Sequence, residues 1–120
     1  MSETKTYEGG CHCGRVRYRI EADLSKVYAC NCSMCGRMGW RLAFVPAAQF
    51  TLLSGEGEQT DYQFATKRIH HLFCRTCGVR SFSHGPGKEG ESFSVNVRCL
   101  DGVGVDADKL DTHHFDGAKL

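Results

Sequence analysis

Cys30-Asn31-Cys32-Ser33-Met34-Cys35 packs three thiols into six residues and is reached by a short apolar run, Val27-Tyr28-Ala29. Two further pairs flank it, Cys11-His12-Cys13 upstream and Cys74-Arg75-Thr76-Cys77 downstream. Structural zinc is held by four protein ligands in a tetrahedron, whereas catalytic zinc keeps three and leaves a position for water or substrate. The flanking pairs sum to four ligands and the central stretch to three, so the eight cysteines divide as four, three and one, with Cys99 left over. An ion shared between Cys11, Cys13, Cys74 and Cys77 would tie early strands to late ones. Such sites carry on the order of 10–16 kcal/mol of apparent binding energy in small peptides, so losing one ligand should unfold or badly loosen the domain. The triplet is expected to hold a second, open zinc, with a second structural site completed by a histidine or by Cys99 as its plain alternative.

Eight cysteines in 120 residues also admit four disulfides. The short CxC and CxxC steps oppose this, since they place two sulfurs on one ion and Cys-x-Cys rarely closes a good disulfide. Met1 to Glu8 is polar with no apolar run behind it, and no stretch approaches the length of a membrane span. The expectation is a soluble, cytoplasmic protein of one domain, residues 1–120. Fifteen basic against fourteen acidic residues leave a formal net charge of +1 without long runs of either sign, which argues against a nucleic-acid partner.

Outward from the cysteines the pattern is that of short strands. Tyr7 to Gly10 leads into a tight turn at Cys11–Gly14. Val16, Tyr18 and Ile20 then alternate with Arg15, Arg17 and Arg19, the period of a strand with one buried face. The arginine row reads as that strand's solvated side. Further strands are expected at Val27–Ala29, Trp40–Val45, Thr51–Ser54, Glu58–Ala65, Ile69–Phe73, Arg80–His84 and Phe93–Val97, with one more from Thr112 to Gly117. Pro46 to Phe50 reads as a single helical turn, Thr66-Lys67-Arg68 as a hairpin connection, and Gly85 to Gly90 as a loop. The architecture is therefore mainly β and mostly antiparallel, with about eight short strands and no amphipathic helix.

Three thiolates around a divalent zinc leave one negative charge, so nearby cations are expected. Arg37 and Arg41 are close in sequence and could serve both that charge and substrate carboxylates. Trp40 and Phe44 are candidates to line a pocket beside the triplet, although aromatic residues in a strand after a turn are more often core. Of His70 and His71 one should point inward, as a hydrogen-bonded core histidine, and His113 and His114 pose the same case. His84 and Asn96 are further candidates to face the metal.

Gly10-Cys11-His12-Cys13-Gly14, Cys30-Asn31-Cys32-Ser33-Met34-Cys35 and Phe73-Cys74-Arg75-Thr76-Cys77-Gly78 together resemble the glutathione-dependent formaldehyde-activating enzyme family, also called the CENP-V/GFA domain, over residues 8 to 117. The resemblance implies an Mss4-like β-tent of short antiparallel strands stapled by a structural zinc on Cys11, Cys13, Cys74 and Cys77. It gives a second zinc to Cys30, Cys32 and Cys35, making two zinc ions per chain. It also implies carbon–sulfur lyase chemistry like that of S-(hydroxymethyl)glutathione synthase, which joins glutathione to formaldehyde. The partners would be a small thiol and an aldehyde, with Arg37, Trp40 and Arg41 as thiol-substrate contacts. Two alternatives stand beside it: a methionine sulfoxide reductase-like enzyme attacking with Cys99, and a non-catalytic binding module scaffolded by zinc.

Overall fold

The segment before the first cysteine turn is itself a strand in the computed structural model, which describes residues 4–64, 67–88 and 90–116. This strand, β1 (Lys5–Gly10), lies antiparallel to β2 (Arg17–Ala22), with Tyr7 opposite Ile20. The alternation along β2 works as its sequence requires: Tyr18, Ile20 and Ala22 are buried and Arg19 and Glu21 face solvent. The arginine row is solvated and paired with carboxylates, Arg17 with Asp101 and Arg19 with Glu8.

A seven-stranded sheet forms the second layer. It contains β3 (Val27–Cys30), β4 (Leu42–Pro46), β6 (Gln59–Tyr62), β7 (His70–Cys74), β8 (Phe82–Gly87), β9 (Gly90–Asn96) and β10 (Thr112–Phe115). Their order is β10-β3-β4-β9-β8-β7-β6, while β5 (Phe50–Ser54) joins β2 in the smaller sheet. Every pairing is antiparallel except that of β10 with β3. The molecule is mainly β, as the sequence led us to expect.

Side chains of both sheets meet in one apolar cluster, with Val16, Tyr18 and Ile20 from one layer and Val45, Phe82 and Val95 from the other. Aromatic rings fill its centre. Phe50 stacks on Phe93 at 4.1 Å and on Tyr18 at 5.4 Å, and Phe82 meets Tyr18 edge-on, arrangements that add to the area these rings bury.

Four details differ from the sequence reading. The stretch Gly85 to Gly87 is strand rather than loop, completing β8 against β9. It tolerates Pro86 because β7 pairs with β8 only at His84 and Ser83, which leaves that end on a free edge. The strand expected over Glu58–Ala65 is shorter, Gln59–Tyr62, and the strand count among described residues is ten. A six-residue helix, α1 (Ser33–Met38), holds the end of the cysteine triplet and buries none of its residues. The expected helical turn after Pro46 is present as a 3₁₀ turn, Ala47–Gln49. Ala65 and Thr66, with the hairpin connection Thr66 would open, and Gly117 lie outside the described residues.

Candidate metal centre

The turn between β1 and β2 carries Cys11 and Cys13, and the end of β7 with the knuckle after it carries Cys74 and Cys77. The first turn is closed by Cys11 N–H donating to the Val16 carbonyl at 3.0 Å, and the knuckle by Gly78 N–H donating to the Cys74 carbonyl at 2.8 Å. Gly10 is required here, since a Cβ on it would lie 2.1 Å from the Val16 oxygen. All four Sγ atoms lie within 4.8 Å of one another, and none is in a disulfide.

Two sulfur separations, Cys11 to Cys13 at 3.6 Å and Cys13 to Cys74 at 3.7 Å, test the fit of a metal. A tetrahedron of thiolates about 2.3 Å from zinc separates its sulfurs by about 3.8 Å. The surroundings also suit thiolates. Val16 N–H points at the Cys11 sulfur at 3.3 Å, and Thr76 and Cys77 N–H at that of Cys74 at 3.4 and 3.5 Å. Backbone N–H groups of Val79 and Cys13 lower the Cys77 thiol to about 6, and the backbone and guanidinium of Arg15 lower Cys13. Burial raises the Cys11 thiol. The four could hold a metal ion closed on all sides by sulfur.

The triplet forms a second cluster. Cys30 ends β3, Cys32 caps α1, and Cys35 lies in its first turn, with all three sulfurs within 4.8 Å of one another. No fourth histidine, cysteine or carboxylate joins them among the described residues. Cys35 N–H donates to the Cys32 sulfur at 3.4 Å and Gly39 closes the helix in the left-handed region, φ 64°. Burial raises the Cys32 thiol, but the Cys35 and Met34 N–H groups outweigh it and the net shift is downward. Burial pushes Cys35 up to about 12, opposed by the Trp40 indole alongside.

These three cysteines stand in the wall of a cavity of about 520 Å³. Tyr28, Trp40, Phe44, Phe64 and Phe115 are among its lining residues, and His71 reaches it from β7. Nδ1 of His71 is buried with no hydrogen-bond partner among the described residues, whereas the Trp40 indole hydrogen-bonds the Cys35 sulfur. Burial, with Arg80 nearby, holds the His71 imidazole below its ordinary value, so it is neutral at pH 7.

A sequence model of the family described as glutathione-dependent formaldehyde-activating enzyme matches residues 6–115. The chain belongs to that family. It is also similar to a crystal structure described only as a Rhodobacter sphaeroides protein and a structural genomics target. The two share 32% identity over 88% of this chain and 99% of that one, with a TM-score of 0.76.

In this formaldehyde-activating family member the sequence candidates fall in several places. Trp40 and Phe44 line the cavity, as does His113. Arg37 lies outside that lining, donating to the Ser33 carbonyl of its own helix at 2.9 Å, and Arg41 faces Asp108 at 3.4 Å. His71 points inward and His70 outward, where it pairs with Asp61. His71 differs from the expected hydrogen-bonded core histidine in having an unpaired Nδ1. His84 pairs with Glu91. Asn96 donates to the Arg80 carbonyl and accepts from Arg98 N–H, capping the 3₁₀ turn Val97–Cys99. Cys99 is half-buried against the Arg80 carbonyl and absent from the cavity lining. No local pattern marks Tyr28, Phe64 and Phe115 as cavity residues, and the sequence marks His71 only as a core histidine. Each lies on a different segment, and only the sheet order brings them together.

Proposed function

We propose that this chain holds two zinc ions and acts as a carbon–sulfur lyase, binding a small thiol such as glutathione at the triplet and joining it to, or releasing it from, an aldehyde. One observation carries the reading: three unpaired cysteine sulfurs lie together in a cavity wall with no fourth protein ligand among the described residues. Cys11, Cys13, Cys74 and Cys77 would hold the structural ion, and Cys30, Cys32 and Cys35 the other. A zinc ion bound by three thiolates supplies Lewis acidity that keeps an incoming thiol ionised near neutral pH.

The chain's own groups do the rest. Cys30, Cys32 and Cys35 fix where the thiol sulfur sits, and the aromatic wall excludes water from the reacting carbonyl. As the carbon–sulfur bond forms, the C=O π bond opens and the thiol proton ends on the oxygen, with no net oxidation. His71, which lines the cavity, is the residue we assign to hydrogen-bond that oxygen. Family membership supports glutathione and formaldehyde as the substrate classes. Nothing in the surroundings of Cys99 favours the reductase alternative.

Cobalt substitution tests the reading. With Co²⁺ in both sites, glutathione should change the ligand-field spectrum of one ion only, and Cys32→Ser should abolish that change. A spectrum indifferent to glutathione in the loaded protein would overturn it. So would formaldehyde consumption that never exceeds the uncatalysed rate.

A further inference from the structure

We propose that the cavity beside the triplet takes the uncharged, apolar, ring-sized substituent of a sulfur ligand, an aryl- or branched-alkyl-bearing thiol or thiol adduct. The inference rests on the thiol-binding reading above and narrows its ligand class.

Size comes first. A cavity of about 520 Å³ lies in the range of sites for drug-sized molecules, roughly 300–1,000 Å³, and a one-carbon aldehyde leaves nearly all of it unfilled. Its chemistry is the second argument. Among the described residues no lysine, arginine, aspartate or glutamate belongs to the lining, which includes the aromatic side chains of Tyr28, Trp40, Phe44, Phe64 and Phe115. A peptide thiol's carboxylates would find no cation among the described lining residues and would have to stay outside the cavity, in solvent. The arginines nearest in sequence are engaged elsewhere, Arg37 with the Ser33 carbonyl and Arg41 with Asp108.

The buried polar groups complete the description. His71, 9% exposed, lines the cavity and keeps a buried Nδ1 with no partner among the described residues, whereas the Trp40 indole is engaged by the Cys35 sulfur. The His71 imidazole asks for one uncharged hydrogen-bond partner, such as the hydroxyl of an aldehyde–thiol adduct, and not for an ion pair. Sulfur at the cysteines, one oxygen at His71 and a ring among the aromatics form a single consistent ligand.

Trp40 is the only tryptophan, so its emission reports occupancy directly. The zinc-loaded protein is titrated with benzyl mercaptan, 2-mercaptoethanol, glutathione and toluene. Burying one phenyl ring corresponds to benzyl mercaptan binding on the order of 50-fold more tightly than 2-mercaptoethanol. Glutathione should bind no more tightly than 2-mercaptoethanol, and toluene far more weakly than benzyl mercaptan. Phe44→Ser, at an exposed rim position, should cut the benzyl advantage several-fold without altering 2-mercaptoethanol binding. Three thiols agreeing within about threefold would overturn the ligand class and leave the thiol-binding reading standing. Toluene matching benzyl mercaptan would remove sulfur from the site and take that reading with it. No response to any of the four removes the cavity as a binding site.

Discussion

The sulfurs of Cys13 and Cys74 lie 3.7 Å apart although 61 residues separate them. Cys13 belongs to the turn joining β1 to β2, and Cys74 ends β7 in the other sheet. An ion held there would fasten the two layers together, so its removal would act on the whole domain.

Cys74→Ser should therefore lower stability by more than about 3 kcal/mol or prevent folding, because it removes a fully buried ligand. Cys99→Ser, outside both clusters, should cost less than about 1.5 kcal/mol. Urea unfolding of both variants checks the contrast.

Cys32→Ser should leave the far-ultraviolet circular dichroism unchanged and lower bound metal by one equivalent per chain. The triplet buries none of the residues of α1, so the helix contributes little to the core. Loss of both ions, or of the fold, in this variant would show that the two clusters are not independent.

Gly10→Ala should weaken the four-cysteine site through the backbone alone. The added methyl would meet the Val16 carbonyl oxygen at 2.1 Å, and that carbonyl accepts the Cys11 N–H that closes the turn. A drop of more than about 2 kcal/mol, with faster metal loss to a chelator, is the expected outcome.

Tyr18→Phe should be neutral or stabilising by up to about 1 kcal/mol, since the buried hydroxyl of Tyr18 has no partner and its removal relieves a desolvated group. The ring contacts with Phe50 and Phe82 are kept. Thermal unfolding distinguishes this from the loss expected if the hydroxyl were bonded.

Asp101 gives a pH signature. Arg17, 2.5 Å away, holds its carboxyl below the usual carboxylate value. The folded form thus binds fewer protons than the unfolded chain, so this contribution is complete above the unfolded value, about 3.9, and fades as pH falls below it. The pair is solvent-exposed and worth at most about 1 kcal/mol. Arg17→Met should flatten the acid limb of the stability profile to that extent.

The cysteine groupings were legible because ligand spacing is local, and β2 was legible because one face of it is buried and the other is wet. β1 was hidden: only Gly9 of Lys5–Gly10 is fully buried, so no apolar period marks it. Helix α1 was hidden for a related reason, being defined by the Cys32 cap and Gly39 rather than by an apolar stripe. The strand character of Gly85–Gly87 runs against composition and depends on β9 alongside. The cavity was least legible, since β10 returns parallel to β3 to bring His113 and Phe115 beside Tyr28 and Cys30, a pairing of distant segments that no local pattern announces.

Native mass spectrometry of the purified chain, with and without a mild chelator and a thiol, separates a closed metal site from an open one. The expected result is two zinc ions per chain, one resistant to the chelator and one lost to it, with a single thiol adding only to the doubly loaded form. One ion per chain that no thiol touches, or two that leave together, would contradict it.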